Sequence, residues 1–317
     1  MDITPAIITV GLNPAIDRVI EAPNFVLGAH QRVRVLRRAP AGKSVNVARV
    51  LAALGVPNVH TGFVGADSRV EFKAVFNPSL VRDEMFAVPG RTRENITIVD
   101  PAAHQETHLR DAGLEVDRRD LARLKSKLGL MARDGQIVAF SGSLPPGVGA
   151  EAFVELIDVC RHAGARVAVD TSGEALSAAV QRKLWLVKPN AAELATLAGR
   201  ELPDRDAQIA AARELTGRVE LVLLTAGAEG AMLFSPRGAW RACAPIEPER
   251  VVNTVGCGDA LLGAFIAGVW RGRALPDCLA AAVATATASA CTALPAEFDA
   301  GLAGELTRKI ELSELKD

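Results

Sequence analysis

The sequence predicts an α/β protein in which a parallel β-sheet is flanked by helices. Short runs rich in β-branched residues alternate with segments whose apolar residues recur every three to four positions. The order is β-α-β throughout, which is typical of a parallel sheet with crossover helices. No low-complexity linker, internal repeat or heptad pattern interrupts the chain, so we expect one domain over residues 1–317.

Six short apolar runs are predicted as strands because each is bounded by small, polar or turn-forming residues. They are Ile7–Leu12, Val59–Gly65, Ile137–Ser141, Val167–Asp170, Trp185–Val187 and Leu221–Thr225. Seven segments are predicted as helices because their apolar residues fall on one face. They are Ser44–Leu54, Asp120–Met131, Ala150–Ala163, Ala191–Ala198, Asp206–Thr216, Asp259–Trp270 and Leu275–Thr292.

Two stretches break this alternation, at about residues 14–37 and 92–112. They contain extended polar-apolar patterns, such as Asn95–Val99 and Glu106–Arg110, with no helical pattern between them. We therefore expect a small separate sheet inserted into the main domain. A lid over the strand ends, where open α/β sheets bind their ligands, is one interpretation. An edge extension of the sheet and a dimer surface fit the pattern equally well.

Composition and charge favour a globular protein that binds small molecules. The 317 residues include 36 Lys plus Arg and 37 Asp plus Glu, and 49% are apolar. A net charge of −1 gives no electrostatic case for a nucleic-acid or membrane partner. No apolar run reaches membrane-spanning length, so we expect a cytoplasmic protein. The five cysteines are odd in number and lack zinc-ligand spacing, which favours reduced thiols.

A lone carboxylate, Asp259, lies where a glycine loop becomes an apolar helix. The backbone N–H groups of such a loop and of a helix N-terminus carry partial positive charge and stabilise anions. Asp259 is therefore a candidate base for phosphoryl transfer. Taken alone, an Asp after Gly is more often a capping residue or a complement to the helix dipole.

A second glycine loop precedes the predicted helix Ser44–Leu54. Its Gly42-Lys43-Ser44 sequence is not an ATPase P-loop, because Arg37 stands where the second glycine is required. The basic run Arg32–Arg38 also replaces the strand that should feed such a loop. The alternative is a loop whose backbone approaches a polar ligand, with Asn46 on the first turn of the helix.

Five motifs occur together in one order across essentially the whole chain. They are Asn13–Asp17, Ala41–Arg49, Ser141–Pro145, Lys188–Asn190 with Glu193, and Asn253–Asp259. This set resembles the ribokinase-like sugar kinases of the phosphofructokinase-B family. The resemblance implies a three-layer α/β/α domain with a mostly parallel central sheet and a small β-sheet lid. Thr92–Asn95 and Asp170–Ser172 are most similar to the branch that phosphorylates already phosphorylated ketohexoses.

The resemblance also implies site residues. Asp259 would be the general base, with the N–H groups of Gly256, Cys257 and Gly258 stabilising the transferring phosphoryl group. The substrate contacts would be Asp17, Gly42, Lys43, Asn46 and Ser141, with Arg32 and Arg93 binding the sugar's phosphate. On the residues alone Asp17 is equally a turn former, and Arg32 equally part of a solvated basic face.

The implied cofactors are ATP and Mg²⁺, and some members of the family also use a monovalent cation such as K⁺. The nucleotide contacts would be Lys188, Asn190, Thr225, Gly227, Gly230 and Thr254. Asn190 and Glu193 would hold Mg²⁺ through water, although Glu193 alone equally suits a first-turn charge.

Several positions depart from the family's usual pattern, among them Ser44 and Cys257. Ser44 replaces a glycine, which leaves the sugar selectivity open, and Cys257 replaces the commoner alanine in a way that should preserve activity.

The expected reaction is ATP-dependent phosphorylation of fructose 1-phosphate to fructose 1,6-bisphosphate. Tagatose 6-phosphate and fructose 6-phosphate are the next candidates, followed by an unphosphorylated sugar or a nucleoside. An inactive protein that senses sugar phosphate is the alternative from another class. The partners expected are a sugar phosphate and ATP, with homodimerisation through the lid.

Overall fold

A ten-stranded sheet forms the centre of the protein, whose computed structural model describes residues 6–316. Its strands are β1 (Ile7–Gly11), β4 (Asn58–Gly65), β5 (Val81–Val88), β8 (Ile137–Ser141), β9 (Arg166–Asp170), β10 (Leu186–Val187), β11 (Leu221–Thr225), β12 (Ala231–Ser235), β13 (Gly238–Cys243) and β14 (Glu311–Glu314). Their order is β14-β13-β12-β11-β10-β9-β8-β1-β4-β5. The pairs from β11 to β5 are parallel, and β12 to β14 are antiparallel additions at one edge. The predicted mostly parallel sheet is confirmed.

Helices cover both faces of this sheet. They are α1 (Lys43–Ala53), α2 (Arg69–Ala74), α3 (Arg118–Met131), α4 (Ala150–His162), α5 (Gly173–Ala179), α6 (Ala191–Ala198), α7 (Arg205–Leu215), α8 (Cys257–Trp270), α9 (Leu275–Ala290) and α10 (Ala300–Lys309). Alternating strand residues enter different cores: Ile8 belongs to the core that includes residues of α3 to α7, whereas Ile7 belongs to the core that includes residues of α1, α8, α9 and α10. This alternation follows from the two-residue period of a strand and confirms the three-layer α/β/α arrangement.

A second, four-stranded sheet comes from the two stretches that lacked helical patterns. Its strands are β2 (Ala15–Glu21), β3 (Arg34–Ala41), β6 (Glu94–Asp100) and β7 (Gln105–Leu109), in the order β3-β2-β6-β7. The prediction of a small separate sheet is confirmed. Its action as a lid and the single-domain organisation stay predictions.

The expectation that the basic run Arg32–Arg38 does not form a strand is wrong. Most of this run lies in β3. A strand tolerates this charge because acidic residues of neighbouring elements pair with it: Arg34 binds Glu21 at 2.9 Å, and Arg38 binds Glu94 at 3.1 Å. The argument against a P-loop therefore rests on the missing glycine at Arg37 alone.

Several short elements were not predicted from the sequence, namely α2, α5, α10, β5, β12, β13 and β14. Strand β14 is four exposed residues with two glutamates, and it forms by antiparallel pairing with β13. None of the helices in the described part of the chain combines the length and apolarity that a membrane span requires.

Candidate active site

The N-termini of α1 and α8 meet at the centre of the predicted site. Helix α1 begins after Gly42, at φ 123°, and α8 begins after Gly256, at φ 82°. Both φ values are strained for residues with a side chain. The helices approach closely at Gly263 of α8, where a Cβ would lie only 2.8 Å from the Val50 side chain of α1. The first turns of both helices therefore face one cleft.

Asp259 is held in this junction by Asn46. The Asn46 amide donates from Nδ2 to Asp259 Oδ2 at 2.7 Å, and Asp259 is only 5% exposed. Within residues 6–316 no protein group donates a hydrogen bond to its other oxygen, Oδ1. The carboxyl is thus anchored through one oxygen and has the other available for a ligand.

A fully buried carboxylate, Asp170, organises the charges beside Asp259. It is the last residue of β9 and binds Lys43 Nζ at 2.8 Å through Oδ1, while Lys188 Nζ lies 3.3 Å from Oδ2. The second pair is within ion-pair distance but is not aligned as a hydrogen bond, since Oδ2 has no hydrogen-bond partner among residues 6–316. Asp170 therefore links the first residue of α1, Lys43, to Lys188 in the segment that follows β10.

These charges set the pKa of Asp259. Burial, and then the nearby Asp170, raise the pKa to about 7, while Asn46, Lys43 and Lys188 act in the opposite direction. Burial alone would lower the pKa of Lys43, but Asp170, with Asp259 and Glu193, raises it overall. A carboxyl group with a pKa near neutrality can accept a proton and release it again at physiological pH.

Of the three amides predicted to stabilise an anion, two are available. Gly256 and Gly258 donate to no acceptor in the described part of the chain, whereas Cys257 N–H donates to the Thr254 carbonyl at 3.3 Å. Burial, and then Asp259, raise the pKa of the Cys257 thiol to about 11, so it stays neutral. In this conformation a turn at the start of α8 uses the Cys257 N–H group, and its role in binding an anion stays a prediction.

The predicted sugar contact Asp17 lies on β2 of the small sheet, where Asn95 of β6 is its neighbour. Asn95 Nδ2 donates to Asp17 Oδ1 at 2.9 Å. Ser141 lies at the end of β8. Among residues 6–316, its buried hydroxyl and the amide oxygen Oδ1 of Asn95 have no hydrogen-bond partner. These unsatisfied polar atoms suit a polar ligand, because buried hydroxyl and amide groups normally have partners.

Arg93 is less free than the sequence suggested. Its guanidinium donates to the carbonyls of Asn13, Pro14 and Asp111 and to Ser143 Oγ, at 3.0 to 3.3 Å. Four of its five N–H groups are thus used, which leaves one on Nη1 for a phosphate. Arg93 connects the small sheet to the loops that follow β1 and β8.

Arg32 and Ser44 lie away from the cleft. Arg32 is exposed beyond the start of β3, and that eight-residue strand, roughly 25 Å long, separates it from Gly42. Within this chain the structure does not bring Arg32 together with the other substrate contacts, and its role stays a prediction. The Ser44 hydroxyl lies only 1.9 Å from the position that a Cβ on Gly11 of β1 would take. The Ser44 side chain therefore faces the main sheet. It does not bear on the sugar directly.

The predicted nucleotide side follows β10 and β11. Lys188 is buried, and Asn190 pairs with Thr225 across an isolated bridge. Gly227 has φ 58° and open space around it, which suits a ligand. Gly230 has another reason to be glycine, because a Cβ there would lie 2.1 Å from the Ala242 carbonyl. Thr254 is exposed, in the turn that precedes α8.

Asn190 and Glu193 form a capping box at the start of α6, with hydrogen bonds of 2.8 and 2.9 Å. Each still has an uncommitted polar atom. Within residues 6–316 no group of three or more His, Cys, Asp or Glu side chains is arranged to hold a metal. The residues fit a Mg²⁺ ion that takes most of its ligands from water and phosphate.

Asp170, Asn95 and Asn13 lie in motifs that carried the family resemblance, but the sequence analysis assigned none of them to the site. Asp170 had an available signal, because it ends a buried strand at the sheet edge where α/β proteins bind ligands. Asn13 holds Ala112, Ser143 and Leu144 through Nδ2, contacts that no local pattern indicates.

Comparison with known proteins gives a consistent result. Residues 7–297 match the pfkB family of carbohydrate kinases. The 1-phosphofructokinase of Rhodobacter capsulatus is 40% identical over 276 residues, covering 86% of this chain and 87% of the relative. That of Haemophilus influenzae is 32% identical, covering 98% of this chain and 99% of the relative. The crystal structure of phosphofructokinase-2 from Escherichia coli in complex with potassium is 27% identical, with a TM-score of 0.88 over 95% of this chain and 98% of that one. The predicted ribokinase-like fold is confirmed.

Proposed function

This chain belongs to the pfkB family of carbohydrate kinases, and we propose that it transfers the γ-phosphate of ATP to a hydroxyl of fructose 1-phosphate. The product is fructose 1,6-bisphosphate. The relatives that carry the name 1-phosphofructokinase support this substrate over tagatose 6-phosphate, fructose 6-phosphate, unphosphorylated sugars and nucleosides. The observation that carries the proposed mechanism is the buried Asp259 carboxyl, anchored by Asn46 at 2.7 Å between two helix N-termini.

Asp259 is the general base. Its Oδ1 accepts the proton of the attacking hydroxyl, while the bond from Asn46 fixes the orientation of the carboxyl group. The N–H groups of Gly256 and Gly258, at the positive end of α8, stabilise charge on the phosphoryl group in transfer. The mechanism requires a proton acceptor and a set of anion-binding N–H groups within one helical turn. The start of α8 provides both: Asp259 is the acceptor, and the N–H groups of Gly256 and Gly258 form what we call the anion cradle.

The substrate's phosphate is bound by cations at the rim of the cleft. Lys43 is held by Asp170, yet its side chain is 40% exposed and can reach a ligand. Arg93 can donate a hydrogen bond from its remaining N–H group on Nη1. Burial, and then the nearby Arg110, lower the pKa of Arg93, so Arg110 is a second positive charge in this region. Neighbouring like charges favour a dianion between them. Asp17 and Ser141 bind sugar hydroxyls, and Gly42 permits close approach of the backbone.

ATP, when bound, supplies the γ-phosphoryl group, and Mg²⁺ neutralises charge on its phosphates. Lys188, Thr225, Gly227 and Thr254 line the nucleotide side. Glu193 would accept hydrogen bonds from the waters of a bound Mg²⁺ ion through Oε1, which the capping box leaves uncommitted, and Asn190 would do so through the second lone pair of Oδ1. A monovalent cation near the loop before Asp259 belongs to the same proposal, because a related structure was solved with potassium. Activity in K⁺ compared with Na⁺ buffers tests it.

The small sheet is proposed as a lid that also mediates a homodimer. Its edge strand β3 exposes Val35 and Leu36 by 47% and 45%, and a related phosphofructokinase-2 has been solved as a tetramer. Exposed apolar side chains on an edge strand favour pairing with another subunit. Light scattering of Val35→Lys should show a monomer, whereas Leu130→Lys, on the exposed face of α3, should keep the wild-type mass. An unchanged mass for both variants would contradict the lid dimer.

The substrate assignment is tested by coupled ATP-dependent assays over fructose 1-phosphate, tagatose 6-phosphate, fructose 6-phosphate, fructose and adenosine. Fructose 1-phosphate should give the highest kcat/KM, with a bisphosphate product identified by NMR. A higher kcat/KM for any other acceptor would reassign the substrate. Calorimetric binding of fructose 1-phosphate without turnover of any acceptor would instead indicate a sensor.

A further inference from the structure

A cavity outside the residues assigned to the cleft lies beside the C-terminal half of α1. Its volume is about 330 Å³, within the lower range of small-molecule sites. Its walls come from the C-terminal half of α1, the segment between α2 and β5, and the loop between α9 and α10. Most of the lining is apolar and includes Phe76, Val81 and Phe298. The polar side chains among the lining residues are Arg49, Asn77 and Glu297.

A carboxylate already occupies the charged end of this cavity. Glu297 Oε1 accepts from Arg49 Nη2 at 2.5 Å, and the Arg49 side chain is only 21% exposed, against 42% for Glu297. Arg37 lies nearby, since burial and then Arg49 lower its pKa while Glu297 and Asp17 raise it. Glu297 is paired with Arg49, and Arg37 is a further positive charge in its vicinity, with Asp17 as a second acidic neighbour of Arg37. The Arg49 fork can bind another carboxylate in place of Glu297.

This cavity is mechanically connected to the catalytic junction on two sides. Arg49 lies one helical turn after Asn46, the residue that anchors Asp259. On the other side, Ala296 precedes Glu297 and abuts the anion cradle, because a Cβ on Gly256 would lie 2.7 Å from Ala296 N. The Arg49–Glu297 ion pair therefore ties the helix that positions the base to the loop that supports the cradle.

We infer that this cavity is a regulatory site for a small carboxylate with an apolar body, which replaces the Glu297 carboxylate on Arg49 and slows phosphoryl transfer. The Arg49 fork binds the ligand's carboxylate in the place that Glu297 now holds, and the apolar walls bury the ligand's body. Release of Glu297 frees the loop that carries Ala296, so the support under Gly256 weakens. The effect falls on kcat more than on the KM for sugar phosphate, since none of the proposed sugar contacts lines the cavity.

The test uses 3-phenylpropionate as the probe, with 3-phenylpropanol as the uncharged analogue and acetate as the charge without the apolar body. Calorimetry on the full-length protein should show saturable binding of 3-phenylpropionate and at least about tenfold weaker binding of both controls, since each lacks one half of the recognition. Binding should disappear in Arg49→Gln and weaken in Arg49→Lys, which keeps the charge but loses the fork.

Glu297→Gln separates this proposal from non-specific binding. The variant should bind 3-phenylpropionate about fivefold more tightly, because no internal carboxylate competes for Arg49. Its kcat should be lowered without the probe and should not fall further when the probe is added. Glu305→Gln, on the exposed side of α10, should match wild type in both respects. Absence of saturable binding to Glu297→Gln, or binding that survives Arg49→Gln, would overturn the proposal.

Discussion

Replacement of Asp259 by Asn is expected to raise the stability of the folded protein, with an effect that grows with pH. Burial and Asp170 raise the pKa of this carboxyl from its ordinary 3.8 to about 7. Because the folded state binds the proton more tightly, ionisation of Asp259 lowers the free energy of unfolding as the pH rises through this interval. Below pH 3.8 the penalty is absent, and above pH 7 it is complete.

The magnitude follows from the size of the shift. One pKa unit corresponds to about 1.4 kcal/mol, so the ionised carboxyl costs the folded state up to about 4 kcal/mol above pH 7. Between pH 5 and pH 8 the stability difference between Asp259→Asn and wild type should widen by about 2–3 kcal/mol. The amide in the variant carries no charge to desolvate, so this penalty does not arise.

Urea denaturation of both proteins at pH 5, 6, 7 and 8 measures the difference. Asp277→Asn is the matched control, because Asp277 is an exposed aspartate in the first turn of α9. Its replacement removes only a favourable helix-dipole interaction, and should cost about 0.3–1 kcal/mol at every pH above 5. A stability difference for Asp259→Asn that does not change with pH, or a less stable variant at pH 8, would refute the reasoning.

Three further predictions concern other residues of the candidate site. Asn46→Ala removes a hydrogen bond that lowers the pKa of Asp259. The acidic limb of the pH profile of kcat/KM should therefore move to higher pH in this variant. An acidic limb at the wild-type pH would contradict the assigned contact. Arg93→Met should raise the KM for fructose 1-phosphate by about tenfold or more while the KM for ATP changes little; an unchanged sugar-phosphate KM would favour an unphosphorylated substrate. Asp170→Asn leaves two lysines without their buried counter-charge and should cost about 3–5 kcal/mol in urea denaturation, together with most of the activity. Near-wild-type stability would show that the buried pairing is not needed.

The sequence was sufficient for the parts of the fold that depend on strong local patterns. Strand Ile137–Ser141 and helix Ala191–Ala198 have the predicted bounds, because one is a buried apolar run and the other carries its own capping box. Strand β14 could not be predicted, since four exposed residues form a strand only when β13 offers a free edge. The small sheet was predictable as a sheet, because its strands alternate.

The site was predictable as a set of residues but not as a network. Asn46 and Asp259 are 213 positions apart in sequence and Lys43 and Asp170 are 127 apart, so only the fold brings each pair together. No local pattern indicated that the guanidinium of Arg93 is largely consumed by backbone carbonyls. The resemblance to sugar kinases supplied roles for single residues, whereas the contacts between them come from the tertiary structure.

The role of Asp259 as general base is tested most directly by kcat with saturating ATP and fructose 1-phosphate for wild type, Asp259→Asn and the control Asp277→Asn. The proposed mechanism predicts that kcat falls by about 10²–10⁴ in Asp259→Asn, the range for loss of a positioned base, while both KM values stay near wild type. Asp277→Asn should keep the wild-type kcat. A kcat for Asp259→Asn within a few-fold of wild type would contradict the assignment.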